Sequence, residues 1–229
     1  MAKRGADMTE QAQDTGPQYE FTNDWFSQTA SLPVWRQLIS QNKPRRILEI
    51  GSFEGRSTSW IIENCAISSE SGLYMVCIDS WEGGVEHKAG GGRDAEMSDV
   101  ERRFDHNIAL AKTRVNVPVE VRKIKNLSQF GLVEIMSEGH YETFDLIYID
   151  GSHQAPDVLT DSVMSFQLLR VGGVMIFDDY LWSMDRPGQQ DVLKMPKPAI
   201  DAFLNIFQRR MSIYVGPPIS QIYARKIAS

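Results

Sequence analysis

"FDLIYIDGSHQAPDVL", residues 144–159, decides how the rest of the chain is read. A mostly apolar run of strand-formers ends on a carboxylate, Asp150, turns through Gly151 and Ser152 to His153, and gives way to a helix with Pro156 in its first turn. Proline fits there because the first helical amides have no acceptor within the helix. "GGVMIFDDY", residues 172–180, then supplies another apolar strand that ends on two acids, Asp178 and Asp179. Strand, turn, helix and strand in this order make a βαβ unit, whose strands lie parallel.

Working outward, the same alternation begins at Arg46. "RILEIG" reads as a strand and "STSWIIENCA" as the helix after it; "LYMVCID" (73–79) is a strand and "DVERRFDHNIALAK" (99–112) a helix; "VEVRKI" (119–124) is a strand followed by a helix over "LSQFGLVEIMSEG". Beyond the opening stretch, "PDVLTDSVMSFQLLRVGG" reads as helix closed by glycine, "VMIFDD" (174–179) as strand and "PAIDAFLNIFQRR" (198–210) as helix. "MSIYVG" and "SQIYARKI" alternate as a closing antiparallel pair. The expected fold is therefore α/β, a doubly wound, seven-stranded, mostly parallel sheet with a C-terminal antiparallel strand, forming one domain over residues 19–229. Residues 1–18, polar and without periodicity, are expected to be a disordered tail.

The bulk composition agrees with a globular protein: 229 residues, 42% hydrophobic, 24% charged and a net charge of −6. An acidic balance without blocks of like charge argues against nucleic-acid and anionic-membrane partners. Cys65 and Cys77 fall in a helix and a buried strand and read as reduced core thiols, and no apolar stretch has the length of a membrane span or a signal-peptide core, so a cytoplasmic protein is expected. Two segments interrupt the alternation, "SWEGGVEHKAGGGRDAEMSD" (80–99) and "LWSMDRPGQQDVLKMPK" (181–197). Both follow strand carboxyl ends, where open α/β sheets bind ligands, so they are read as covers over a site. Trp25, Trp35, Trp81 and Trp182 are the aromatic candidates to shape it, whereas His87, His106 and His140 read as structural or surface residues.

Two chemistries are expected at those strand ends. "LEIGSFEGRST" places Glu49 at the end of the first strand with Gly51 and Gly55 in a tight turn, where the helix start favours a negatively charged group. A third glycine of the dinucleotide fingerprint is missing, and Phe53 stands between the two. Asp79, at the end of the second strand, can accept both hydroxyls of a ribose. At the other end, neighbouring strands should bring Asp150, Asp178 and Asp179 together. Three carboxylates repel unless a cation compensates them, and an all-oxygen set suits Mg²⁺ first, with Mn²⁺ or Ca²⁺ also compatible.

"LEIGSFEGRST", "CIDSWEGG", "FDLIYIDGSH", "LLRVGGVMIFDDY" and "PAIDAFL", in that order, resemble a class I S-adenosylmethionine-dependent methyltransferase, and most of all the metal-dependent macrocin- and novobiocin-type sugar O-methyltransferases, over residues 44–226. The resemblance implies that Glu49, Gly51 and Gly55, with Ser52 and Ser57, surround the methionine part of the cofactor. It further implies that Asp79 and Ser80 hold its ribose and that Asn126, Leu127 and Ser128 lie beside its adenine. Asp150 would reach both cofactor and metal, and Asp150, Asp178 and Asp179 would hold the divalent ion. Phe53 departs from the commonest glycine turn of that class, though catechol-type enzymes tolerate such a residue. An acceptor hydroxyl must lose a proton as it attacks the methyl sulfonium, and His153, beside Asp150, is the expected general base. Asp161 is expected to be solvated or in an outer layer of the site. The expected activity is methyl transfer to a hydroxyl of a small polar molecule, a sugar or natural product. The alternatives are a non-catalytic cofactor-binding protein of the same fold and a nicotinamide-dependent oxidoreductase, and the oligomeric state is left open between monomer and homo-oligomer.

Overall fold

The computed structural model describes residues 17–27, 31–67, 71–87, 96–214 and 219–229, with Glu86 by its backbone alone. The expected tail therefore lies outside the described residues up to 16, as do residues 88–95 of the first long cover. The seven strands are β1 (Arg46–Ile50), β2 (Leu73–Asp79), β3 (Val119–Lys125), β4 (Phe144–Ile149), β5 (Leu169–Phe177), β6 (Met211–Tyr214) and β7 (Ile222–Lys226), in the spatial order β3-β2-β1-β4-β5-β7-β6. β1 to β5 pair in parallel, and β7 runs antiparallel to both β5 and β6.

Helices α1 (Leu32–Asn42), α2 (Arg56–Ala66) and α3 (Val100–Thr113) cover one face, packing Trp35, Ile61 and Phe104 against Ile47, Tyr148, Ile176 and Tyr223 of the sheet. Helices α4 (Ser128–Ser137), α5 (Ala155–Leu168) and α6 (Pro196–Ile206) cover the other, with Leu132, Phe166 and Phe203 against Ile147, Met175 and Phe177. Both faces of the central strands are thus buried, which is why their sequences read as near-continuous apolar runs. Cys65 and Cys77 are buried in the first of these cores and not joined in a disulfide.

Three elements differ from the sequence reading. α1 precedes the expected first strand: Pro33 starts it, Trp35 and Ile39 form its buried stripe, and Lys43 ends it in a left-handed conformation (φ 45°) just before Pro44. The helix expected to run up to the glycines at 172 and 173 stops at Leu168, and Leu169 to Gly173 join β5, where Leu169 pairs with Phe144. Short apolar runs fit either a helical or a strand period, and the neighbouring β4 decides. α6 begins at Pro196 and ends at Ile206, earlier than expected at both ends. Among the described residues no helix is long and apolar enough to cross a membrane.

The register positions the site. Ile50 stands opposite Ile78 and Ile149, and Ile149 opposite Phe177. The residues that follow, Gly51, Asp79, Asp150 and Asp178, therefore emerge in one row along the carboxyl edge. The amides of Gly51, Asp150 and Asp178 continue the ladder, donating to Ile78 (2.9 Å), Ile50 (2.9 Å) and Ile149 (3.0 Å). The strand order reverses at β1 and β4, the switch point at which ligands of open α/β sheets bind.

Candidate functional site

Gly51 adopts φ +87°, and a Cβ there would lie 2.0 Å from the Asp150 carbonyl oxygen. The close approach that demands glycine is thus to the end of β4 itself, and it locks the two halves of the site together. Glu49, buried beneath the turn, accepts hydrogen bonds from Ser52 Oγ (2.7 Å), Ser57 Oγ (2.6 Å) and the Thr58 hydroxyl. Burial raises its pKa, opposed by those three hydroxyls. Glu49 therefore clamps the glycine turn to the start of α2 from below. Neither it nor Gly55, whose added Cβ would meet Phe104 and Ile108 at 3.0 Å, lines the cavity above.

That cavity, of about 630 Å³, is lined by the remaining residues expected for the cofactor: Gly51 and Ser52 from the turn, Ser57 from α2, Asp79 and Ser80 at the end of β2, Asn126 to Ser128 at the start of α4, and Asp150 after β4. Asp79 accepts from the amides of Phe53 (2.8 Å) and Trp81 (2.7 Å); burial nevertheless raises its pKa, leaving a carboxylate that gains from further donors. One feature was not read from the sequence. His87 lines the cavity and stacks on Phe53 at 5.3 Å, so it is no mere surface residue. Residues 17–27 cross over the turn and bring Asn23, Trp25 and Phe26 to the cavity wall. Buried Glu54 holds this segment, accepting from Thr22 N (2.7 Å), Thr22 Oγ1 (2.7 Å) and Arg103 Nε (2.7 Å), while Asn107 exchanges hydrogen bonds with the Glu20 backbone.

At the far end of the cavity the three acids and His153 meet. Nε2 of His153 lies 2.7 Å from Asp179 Oδ2, and Trp182 stacks on the imidazole at 4.1 Å. Ligand atoms of Asp150, His153 and Asp179 lie within 4.8 Å of one another. Asp178 is held apart from that trio: its Oδ1 accepts from Asp179 N (2.7 Å), and its Oδ2 accepts from Gln221 Nε2 (2.8 Å) and the Tyr148 hydroxyl. The same hydroxyl lies 2.8 Å from Asp150 Oδ2. Burial, and then the neighbouring carboxylates, push the pKa of Asp150 and Asp178 up. Among the described residues no lysine or arginine forms a hydrogen bond or ion pair with these acids, so this donor set fits a hard divalent cation. Asp161 departs from expectation, being 1% exposed with neither carboxylate oxygen hydrogen-bonded. Of the tryptophans, Trp25 reaches the cavity and Trp182 the imidazole of His153, while Trp35 and Trp81 are core residues.

The chain matches the model of a methyltransferase domain over residues 48–180, more than half of its length. A protein of Acanthamoeba polyphaga mimivirus, R132, is 26% identical over 138 residues, which are 58% of this chain and 50% of the viral one; this chain thus spans about half of that relative. Among solved structures, an O-methyltransferase from Bacillus cereus in complex with S-adenosylhomocysteine superposes with a TM-score of 0.59 at 22% identity, over 93% of this chain and 84% of the other. TomG, an O-methyltransferase of tomaymycin synthesis from Streptomyces achromogenes solved with S-adenosylmethionine, gives 0.54 at 19% identity over 87% and 82%. At these identities the structures establish a shared fold, and the family match covers the glycine turn, Asp79, Asp150, His153 and both late acids. The chain belongs to the methyltransferase-domain family, with the sheet of the class I S-adenosylmethionine-dependent methyltransferases.

Proposed function

We propose that this protein transfers a methyl group from S-adenosylmethionine to a hydroxyl of a small polar molecule, a sugar or natural product, with a divalent cation, Mg²⁺ first, held by Asp150, Asp178 and Asp179. The observation that carries this is one cavity with two chemically distinct ends: a glycine turn with Asp79 and Asn126 at one, and Asp150, Asp178, Asp179 and His153 at the other. Asp79 accepts the ribose hydroxyls, Ser128 and its neighbours border the adenine, and Asp150 stands between the two ends. Bound there, S-adenosylmethionine supplies a methyl group on a sulfonium, and the cation would supply charge that lowers the acceptor's pKa. The acceptor oxygen attacks the methyl carbon, the new C–O bond forming as the S–C bond breaks and S-adenosylhomocysteine leaves; His153 Nε2, which faces Asp179 Oδ2 at 2.7 Å, takes the acceptor's proton once Asp179 has swung off that nitrogen, and the nearby carboxylates stabilise the imidazolium. Trp182, stacked on the same ring, fixes its plane.

The clustering of His153 with Asp150 and Asp179 favours one other assignment, in which its imidazole is itself a cation ligand. The two separate in one experiment, which follows transfer from labelled S-adenosylmethionine to a panel of sugar and phenol acceptors. Chelation should abolish turnover and Mg²⁺ restore it. His153→Ala should lower kcat by about 10²–10⁴-fold with metal affinity and S-adenosylhomocysteine affinity kept, if the residue is the base. Loss of metal affinity in that variant would instead make it a ligand. Full turnover after exhaustive metal removal, verified by elemental analysis, would overturn the metal-assisted reaction.

A further inference from the structure

We infer that Tyr148, braced by Gln221, is a positioning residue that sets the spacing and orientation of Asp150 and Asp178 for a divalent cation, an inference that rests on the metal-assisted reading above. Tyr148 lies on β4 two residues before Asp150, so both side chains project from the same face of the sheet. It is fully buried, its ring packed edge-on against Trp35 at 4.9 Å and near Phe26 at 6.4 Å. A ring in such a place needs no hydroxyl for its packing, and a buried hydroxyl without a partner is costly. Here the hydroxyl reaches Oδ2 of Asp150 at 2.8 Å and Oδ2 of Asp178. Its single proton goes to one carboxylate at a time, so the two acids share this donor from behind.

Gln221 fixes the other side of Asp178. Its Oε1 accepts from Trp35 Nε1 (2.7 Å) and Tyr223 Oη (2.6 Å), which leaves its Nε2 donors for Asp178 at 2.8 Å. Swapping the amide's two ends would set Nε2 against the Trp35 N–H and Oε1 against the Asp178 carboxylate, so the orientation of this side chain is determined by its neighbours. A chain of hydrogen bonds thus runs from Trp35 on α1 through Gln221 beside β7 to Asp178 at the end of β5. With Asp179 N on the remaining oxygen, Asp178 has three protein donors and a fixed plane. Groups that orient metal-binding carboxylates in this way typically change metal affinity by about 10–100-fold when removed.

The test is a calorimetric titration of Mg²⁺ and of Mn²⁺ into wild-type and Tyr148→Phe protein saturated with S-adenosylhomocysteine, with the affinity for S-adenosylhomocysteine and the thermal midpoint measured in parallel. Phenylalanine keeps the ring that packs on Trp35 and removes only the bridge. The expected result is metal binding weakened about 10–100-fold, with S-adenosylhomocysteine affinity unchanged and the variant folded. Equal metal affinity in the two proteins overturns the role of Tyr148 and leaves the metal reading standing. Metal binding by neither protein overturns both. A variant that loses fold or S-adenosylhomocysteine affinity together with the metal would make the hydroxyl a general structural prop, and that too overturns the inference.

Discussion

Asp161 carries its carboxyl group on α5 into a space with no hydrogen-bond partner, and burial pushes its pKa up to about 7, only partly opposed by the nearby Ser128 hydroxyl. In the unfolded chain the same group titrates near its ordinary value of 3.8. Between those two values the native state holds the proton more tightly than the unfolded state, so stability falls as pH rises from about 4 to 7 and is level above. The shift corresponds to a loss on the order of 4 kcal/mol across that window. Asp161→Asn stays neutral throughout: its thermal midpoint should exceed that of the wild type at pH 8, with the difference vanishing near pH 4. A difference of equal size at both pH values would show that the carboxyl group is not the cause. In the sequence Asp161 is one acid among helix residues, and nothing in its spacing reveals that α4 covers it. Asp150, His153, Asp178 and Asp179 were legible because a charge at the end of an apolar run needs a reason. Tyr148 and Gln221 were not: a tyrosine inside a strand reads as packing, and its partner enters seventy-three residues later.

At the scale of elements, the segment over residues 17–27 has no regular secondary structure, yet it forms a wall of the cavity. It is held by polar contacts with the turn before α2 and with α3 more than by a core of its own. Glu54, 2% exposed between Thr22 and Arg103, is the main tie. Hydrogen bonds to a charged acceptor contribute about 1.5–3 kcal/mol each. Glu54→Gln keeps the shape and removes the charge, so hydrogen exchange at the amides of Glu20 and Thr22 should accelerate about tenfold or more while amides in β1 and β4 stay protected. Unchanged exchange would show that the aromatic contacts, such as Trp25 on Phe53 at 5.5 Å, suffice. Trp25 marked this segment as a candidate to shape the site, but its ties through Glu54 and Asn107 were not legible, because a chain without periodicity shows no partner for its polar groups. The parallel strands were legible because each is buried on both faces, whereas the end of α5 was misplaced because Leu168 and Leu169 are apolar in either geometry.

For the molecule as a whole, a ligand that spans the carboxyl edge touches β1, β2, β4 and the segment before α4 at once, so its binding energy adds to global stability. S-Adenosylhomocysteine at a hundred times its dissociation constant should stabilise the fold by about 2.7 kcal/mol, or roughly 5–10 °C for a chain of this size. NAD at the same concentration should leave the midpoint unchanged; a shift with NAD and none with S-adenosylhomocysteine would replace methyl transfer by nicotinamide chemistry. The strand order carries a different consequence, for the time at which the protein becomes competent. β7 lies between β5 and β6 although it follows both in sequence. Gln221, at its threshold, supplies a donor that fixes Asp178. While the ribosome is still making the chain, β1, β2, β4 and the glycine turn can assemble, but the acid pair stays without that donor until residue 221 has emerged and the final strand has slotted home. A chain that has not yet reached residue 221 could then resemble the finished protein at the cofactor end while lacking an ordered acid end, so methyl transfer would begin only after β7 has joined the sheet.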